Sequence, residues 1–110
     1  MSDQLSDKAC VPCQGGVPPL GSKETSILLN DVKGWELRES ATRLYRSFLF
    51  DDFKTTLNFI NKVGILAEEE GHHPDMEFGW GYAYITIFTH KIGGLHENDF
   101  ILAAKINDIS

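Results

Sequence analysis

The eight residues Tyr82–Thr89 alternate so regularly that they fix the kind of sheet this chain can build. Ala83, Ile85, Ile87 and Thr89 point one way, and Tyr82, Tyr84, Thr86 and Phe88 the other. A strand with one aliphatic face and one aromatic, polar face belongs in an antiparallel sheet covered on one side. Partners for it are legible nearby. Trp35–Arg38 alternates apolar and polar, and in Arg43–Phe50 the residues Leu44, Arg46, Phe48 and Phe50 share a face opposite Tyr45, Ser47 and Leu49. Glu39–Thr42 between them is a polar stretch suited to a hairpin turn, and Met76–Trp80 supplies another strand. Gly79 and Gly81 bracket Trp80 and mark a tight turn or bulge.

Helical spacing fills the intervals. Ser22 offers an N-cap to a short helix that carries Ile27, Leu28 and Leu29 and ends near Asn30. After Asp51 or Asp52 as a cap, Phe53, Leu57, Ile60, Gly64 and Ala67 recur as one stripe, with Val63 beside it, until Gly71 stops the helix. Glu68-Glu69-Glu70 falls at the end where the dipole disfavours negative charge; a solvated face accounts for Glu69 and Glu70. A last helix starts around His96 to Asn98 and carries Phe100, Leu102, Ala103, Ala104 and Ile106; His96 is a poor N-cap, whereas Asp99 suits the first turn. The expected fold is α+β, in the order α-β-β-α-β-β-α: a four-stranded antiparallel sheet with three helices on one face. Its second face, with Tyr84 and Phe88, calls for a ligand or a second copy, so a homo-oligomer is expected.

At 110 residues the chain fits one domain, 22–110, preceded by a Pro- and Gly-rich arm, 1–21. Cys10 and Cys13 lie in that arm, without the second pair a zinc ribbon needs or the helix a redox pair precedes. A formal charge of -6 argues against a nucleic-acid or anionic-membrane partner. No apolar run suffices to span a bilayer and the N-terminus lacks a signal pattern, so the cytoplasm is the expected compartment.

Chemistry concentrates between Glu68 and Asp99, which contains all four histidines. Pro74 holds His73 extended and sends the imidazoles of His72 and His73 to opposite sides, so joint metal chelation by them with His90 and Glu68 or Asp99 is disfavoured. No strained serine elbow or phosphate-cradling glycine loop is present. General acid and base catalysis by imidazole, with carboxylates setting tautomers, is what the side chains support.

The spacing of Glu68, His72-His73-Pro74, Trp80, His90 and Asp99 resembles the signature of the pterin-4a-carbinolamine dehydratases, with all seven anchors present. Upstream the resemblance extends through Trp35 and Phe48-Leu49-Phe50. It implies dehydration of a 4a-hydroxy-tetrahydropterin, formed by an aromatic amino acid hydroxylase, without a cofactor or metal. It further implies His72 and His90 as the acid/base pair and His73 as a grip on the pterin. Glu68 and Asp99 would orient imidazoles, Trp80 would support the site wall, and Pro74 and Thr89 would line the cleft through backbone groups. Two alternatives stand beside it: a non-catalytic dimerisation module of the kind that serves a homeodomain factor, and a paralogue acting on a pterin linked to molybdenum cofactor.

Overall fold

The computed structural model describes residues 5–10 and 18–110, so Cys13 and the glycines and Pro12 around it lie outside the described residues. Three helices and four strands follow in the order α1 (Ser22–Leu29), β1 (Glu36–Arg38), β2 (Arg43–Leu49), α2 (Phe53–Glu70), β3 (Asp75–Gly79), β4 (Tyr82–Ile87) and α3 (Glu97–Ile109). All strand pairs are antiparallel, in spatial order β1-β2-β4-β3. The α+β fold expected from the sequence is the fold observed.

Register explains which face is buried. Leu44 pairs with Ile87 and Phe48 with Ala83, and together with Ile85 these form the sheet's share of the core. Thr86, paired with both Tyr45 and Asp75, lies on the opposite face, where the rings of Tyr82, Tyr84 and Tyr45 form a row. Helix α3 is the core's centre: Phe100, Ile101, Leu102, Ala103 and Ile106 are all buried, as befits a helix that is apolar on most of its circumference.

Several local expectations shift. Gly21, not Ser22, is the N-cap of α1; its backbone N–H donates to Glu24 Oε1. In α2, capped by Asp52 through Thr55 N–H, the buried stripe is Thr56, Phe59, Ile60, Val63 and Ala67. Phe53 and Leu57 lie partly exposed on the neighbouring face, because the helix rolls Phe59 into contact with Phe48 and Phe50. The β1–β2 turn places Glu39, Ser40 and Ala41 consecutively in the left-handed region, which costs non-glycine residues about 1–2 kcal/mol each. Residues 5–10 of the N-terminal arm are docked on the domain: Leu5 is buried in the core.

Candidate active site

The end of α2 determines where the histidines go. Gly71 takes the left-handed conformation at φ 64, and His72 N–H donates to the carbonyl of Ala67, which satisfies the helix end and turns the chain sharply. His72 then faces inward and His73 outward, the divergence expected of neighbours on an extended chain. His72 Nε2 lies 2.5 Å from Asp99 Oδ1, and its side chain is 13% exposed. His73 Nε2 lies 2.6 Å from Glu68 Oε1, with side chains 62% and 79% exposed.

Asp99 is the hub. Its fully buried carboxylate accepts from the Thr89 hydroxyl at 2.8 Å and from the His96 backbone N–H at 2.8 Å, besides facing His72. A carboxylate only accepts, so the His72 tautomer that fits this contact carries its hydrogen on Nε2. Thr89 is itself pinned by its backbone N–H to the Gly94 carbonyl at 2.9 Å. Its side chain is turned to Asp99. The ends of α2 and β4 and the start of α3 thus meet on one carboxylate.

His90 follows Thr89 at the start of a short 3-10 turn, His90–Ile92, and is exposed. Its ring packs on Phe88 at 4.0 Å between centroids, and Phe88 also carries the Arg43 guanidinium 3.5 Å from its centroid. Pro74, half-buried, leads from His73 into β3 at the same end of the sheet. Trp80 is placed elsewhere. It is 70% exposed in the β3–β4 turn, beyond the Gly79–Tyr82 pair, whereas the site lies beside the Asp75–Thr86 pair. At the usual strand rise that is about 17 Å along β3, so within one chain Trp80 does not form a wall of this site.

Two site features escaped sequence reasoning. His96 does cap α3: its ring Nδ1 accepts from Asn98 N–H at 3.1 Å while Asp99 reaches back to its N–H. An acid three residues after a candidate cap was the available signal. The Phe88–His90 stack had none, because alternation placed Phe88 on the open face without showing that the chain curls there. Among the described residues no three His, Cys, Asp or Glu side chains are grouped to hold a metal ion.

The fold and site define a compact class: an antiparallel sheet with helices on one face, bearing histidine–carboxylate pairs at one sheet end. The family model described as pterin 4 alpha carbinolamine dehydratase matches residues 18–109, and the chain belongs to that family. A Methylococcus capsulatus protein named for pterin-4-alpha-carbinolamine dehydratase is 54% identical over 106 residues, covering 96% of this chain and 93% of its own. A Rubrobacter xylanophilus protein of the same name is also 54% identical, over 94% and 96% of the two chains. The crystal structure of a transcriptional coactivator/pterin dehydratase from Brucella melitensis superposes with a TM-score of 0.78 at 31% identity, covering 83% of this chain and 97% of that one.

Proposed function

We propose that this protein dehydrates a 4a-hydroxy-tetrahydropterin to the quinonoid dihydropterin. The observation that carries the reading is the Asp99 hub, which orients His72 and, through Thr89, anchors the residue next to His90. Relatives that match over 94–96% of the chain carry the dehydratase name. The reaction breaks the C4a–O bond and the N5–H bond and forms the C4a=N5 double bond, releasing water. One group must protonate the departing hydroxyl and another must take the N5 proton. His72, through Nδ1, and His90 are the pair assigned to these steps. His73, oriented by Glu68, grips the pterin, and Pro74 borders the cleft. The elimination balances without a cofactor or metal, because the ring nitrogen supplies the electron pair.

The proposal includes a role in tetrahydropterin recycling beside an aromatic amino acid hydroxylase, in the cytoplasm, since the product is an oxidised pterin that a reductase must return to the hydroxylating enzyme. No helix of the described residues is long and apolar enough to cross a membrane. A homo-oligomer is part of the proposal. Phe53, Leu57, Ile65, Met76 and Phe78 are exposed along α2 and β3, where a groove of about 570 Å³ is lined by Ile60, Gly64, Ile65 and Met76 together with Asn61, Glu68 and Glu69. That apolar face equally favours the second reading, a dimerisation module of the coactivator kind.

Stopped-flow absorbance of freshly generated 4a-hydroxy-tetrahydropterin tests the proposal. The wild type accelerates dehydration, and His72→Ala and His90→Ala each lower the rate about 100- to 10,000-fold. Full activity in both variants would reject the assignment. Normal folding and assembly without turnover would favour the binding module, and turnover only of a molybdenum-cofactor-related pterin would redirect the substrate.

A further inference from the structure

Glu70 is the last residue of α2, where the helix dipole disfavours a carboxylate, and yet it is not spent on solvent. Its side chain is 13% exposed, with Oε1 accepting from Cys10 N–H at 2.9 Å and Oε2 paired with Lys105 Nζ of α3 at 2.8 Å. The Cys10 backbone contact, followed by Lys105, holds the Glu70 carboxyl below its ordinary range. Cys10 reaches the other side as well: its thiol donates to the Asn98 carbonyl at 3.6 Å. Burial, with Glu70 behind it, pushes that thiol up to about 12, so it stays a donor. Upstream, Lys8 Nζ pairs with Glu97 at 2.9 Å, and Leu5 enters the core.

Residues 5–10 therefore bridge one seam. Glu70 stands two residues before His72, and Asn98 one before Asp99; the strap ties together the two backbone segments whose side chains make the buried pair. The strap lies ahead of residues 18–109, the stretch that the family model matches.

We propose that the segment 5–10 is a positioning strap for the His72–Asp99 pair, with Glu70 as its anchor. The strap touches no reacting atom; it fixes the separation of α2 and α3 at their site ends, and so the direction of His72 Nδ1. Its rate consequence rests on the dehydratase reading, whereas its geometric consequence does not.

The test compares full-length wild type, Leu5→Asp, which expels the strap from the core, Glu70→Ala and Glu70→Gln. Turnover and the side-chain NMR signal of His72 Nε2–H are read together. Misplacement of a catalytic group by a fraction of an ångström predicts kcat about 10-fold lower in Leu5→Asp and Glu70→Ala, with KM within about twofold. Glu70→Gln, which keeps an acceptor for Cys10 N–H, returns most of the rate. In both damaged variants the Nε2–H signal broadens into exchange with water. An unshifted, sharp signal in a folded variant whose strap contacts are gone overturns the inference even if the wild type proves inactive. Unchanged kcat in an active enzyme does so too. Glu70→Ala, at a helix end, decides the matter should Leu5→Asp fail to fold.

Discussion

Two histidine–carboxylate pairs stand side by side on this chain, nearly equal in length and opposite in surroundings. His72–Asp99 is buried where three elements meet, whereas His73–Glu68 stands in solvent at the rim of α2. The contrast teaches that contact distance alone says little. A buried carboxylate with three donors has one orientation open to it, and it orders everything that touches it. An exposed pair is worth about 0–1 kcal/mol and can reorganise around a ligand, which suits a gripping residue.

Mutation of the two carboxylates breaks the comparison most sharply. Asp99→Ala strands the Thr89 hydroxyl, the His96 N–H and His72 together, and is expected to lower stability by about 3 kcal/mol or more and to abolish most turnover. Glu68→Ala changes stability by less than about 1 kcal/mol. Urea denaturation of both proteins measures the gap; equal losses would mean that burial does not separate the pairs. Phe88→Ala sharpens the site from the other side. Loss of its ring contact, worth about 0.5–1.5 kcal/mol, is expected to slow dehydration by up to about 10-fold through His90 while leaving the His72 NMR signal in place.

The pH dependence of Glu70 gives a smaller effect of defined sign. Its folded-state pKa is depressed by Cys10 N–H and Lys105, so its contribution to stability is complete above the unfolded carboxyl's range and disappears as pH falls through the folded value. Thermal melts should show wild type above Glu70→Gln at neutral pH and the two converging in acid. A difference that persists undiminished in acid would deny Glu70 its ionised role. Least is expected of Ala41→Gly, which relieves a left-handed alanine in the β1–β2 turn and raises stability by about 1 kcal/mol with both imidazole pairs unchanged. Calorimetry beside turnover checks that relief of the turn's strain raises stability without changing the rate.

Periodicity made the sheet, the three helices and the open aromatic face legible, because alternation and helical stripes report burial directly. The roll of α2 was not, since Phe53 and Phe59 are equally apolar and only packing against Phe48 chooses between them. Within the site, Pro74 announced the divergence of the two imidazoles, and the family spacing pointed to Asp99 and Glu68 as their partners. The spacing said nothing of distance in space, which is why Trp80 fell at the far end of β3. Glu70 illustrates the converse: a carboxylate at the wrong helix end read as solvated charge, because its partner Cys10 lies 60 residues away in sequence.

The central claim is that the buried pair carries the chemistry and the exposed pair the grip. Single-turnover dehydration by His72→Ala and His73→Ala, measured side by side over a range of pterin concentrations, tests it most directly. The account predicts a saturated rate about 100- to 10,000-fold below wild type for His72→Ala. For His73→Ala it predicts weaker binding with the saturated rate within about 10-fold of wild type. Equal losses of saturated rate in the two variants, or a larger loss in His73→Ala, would contradict it.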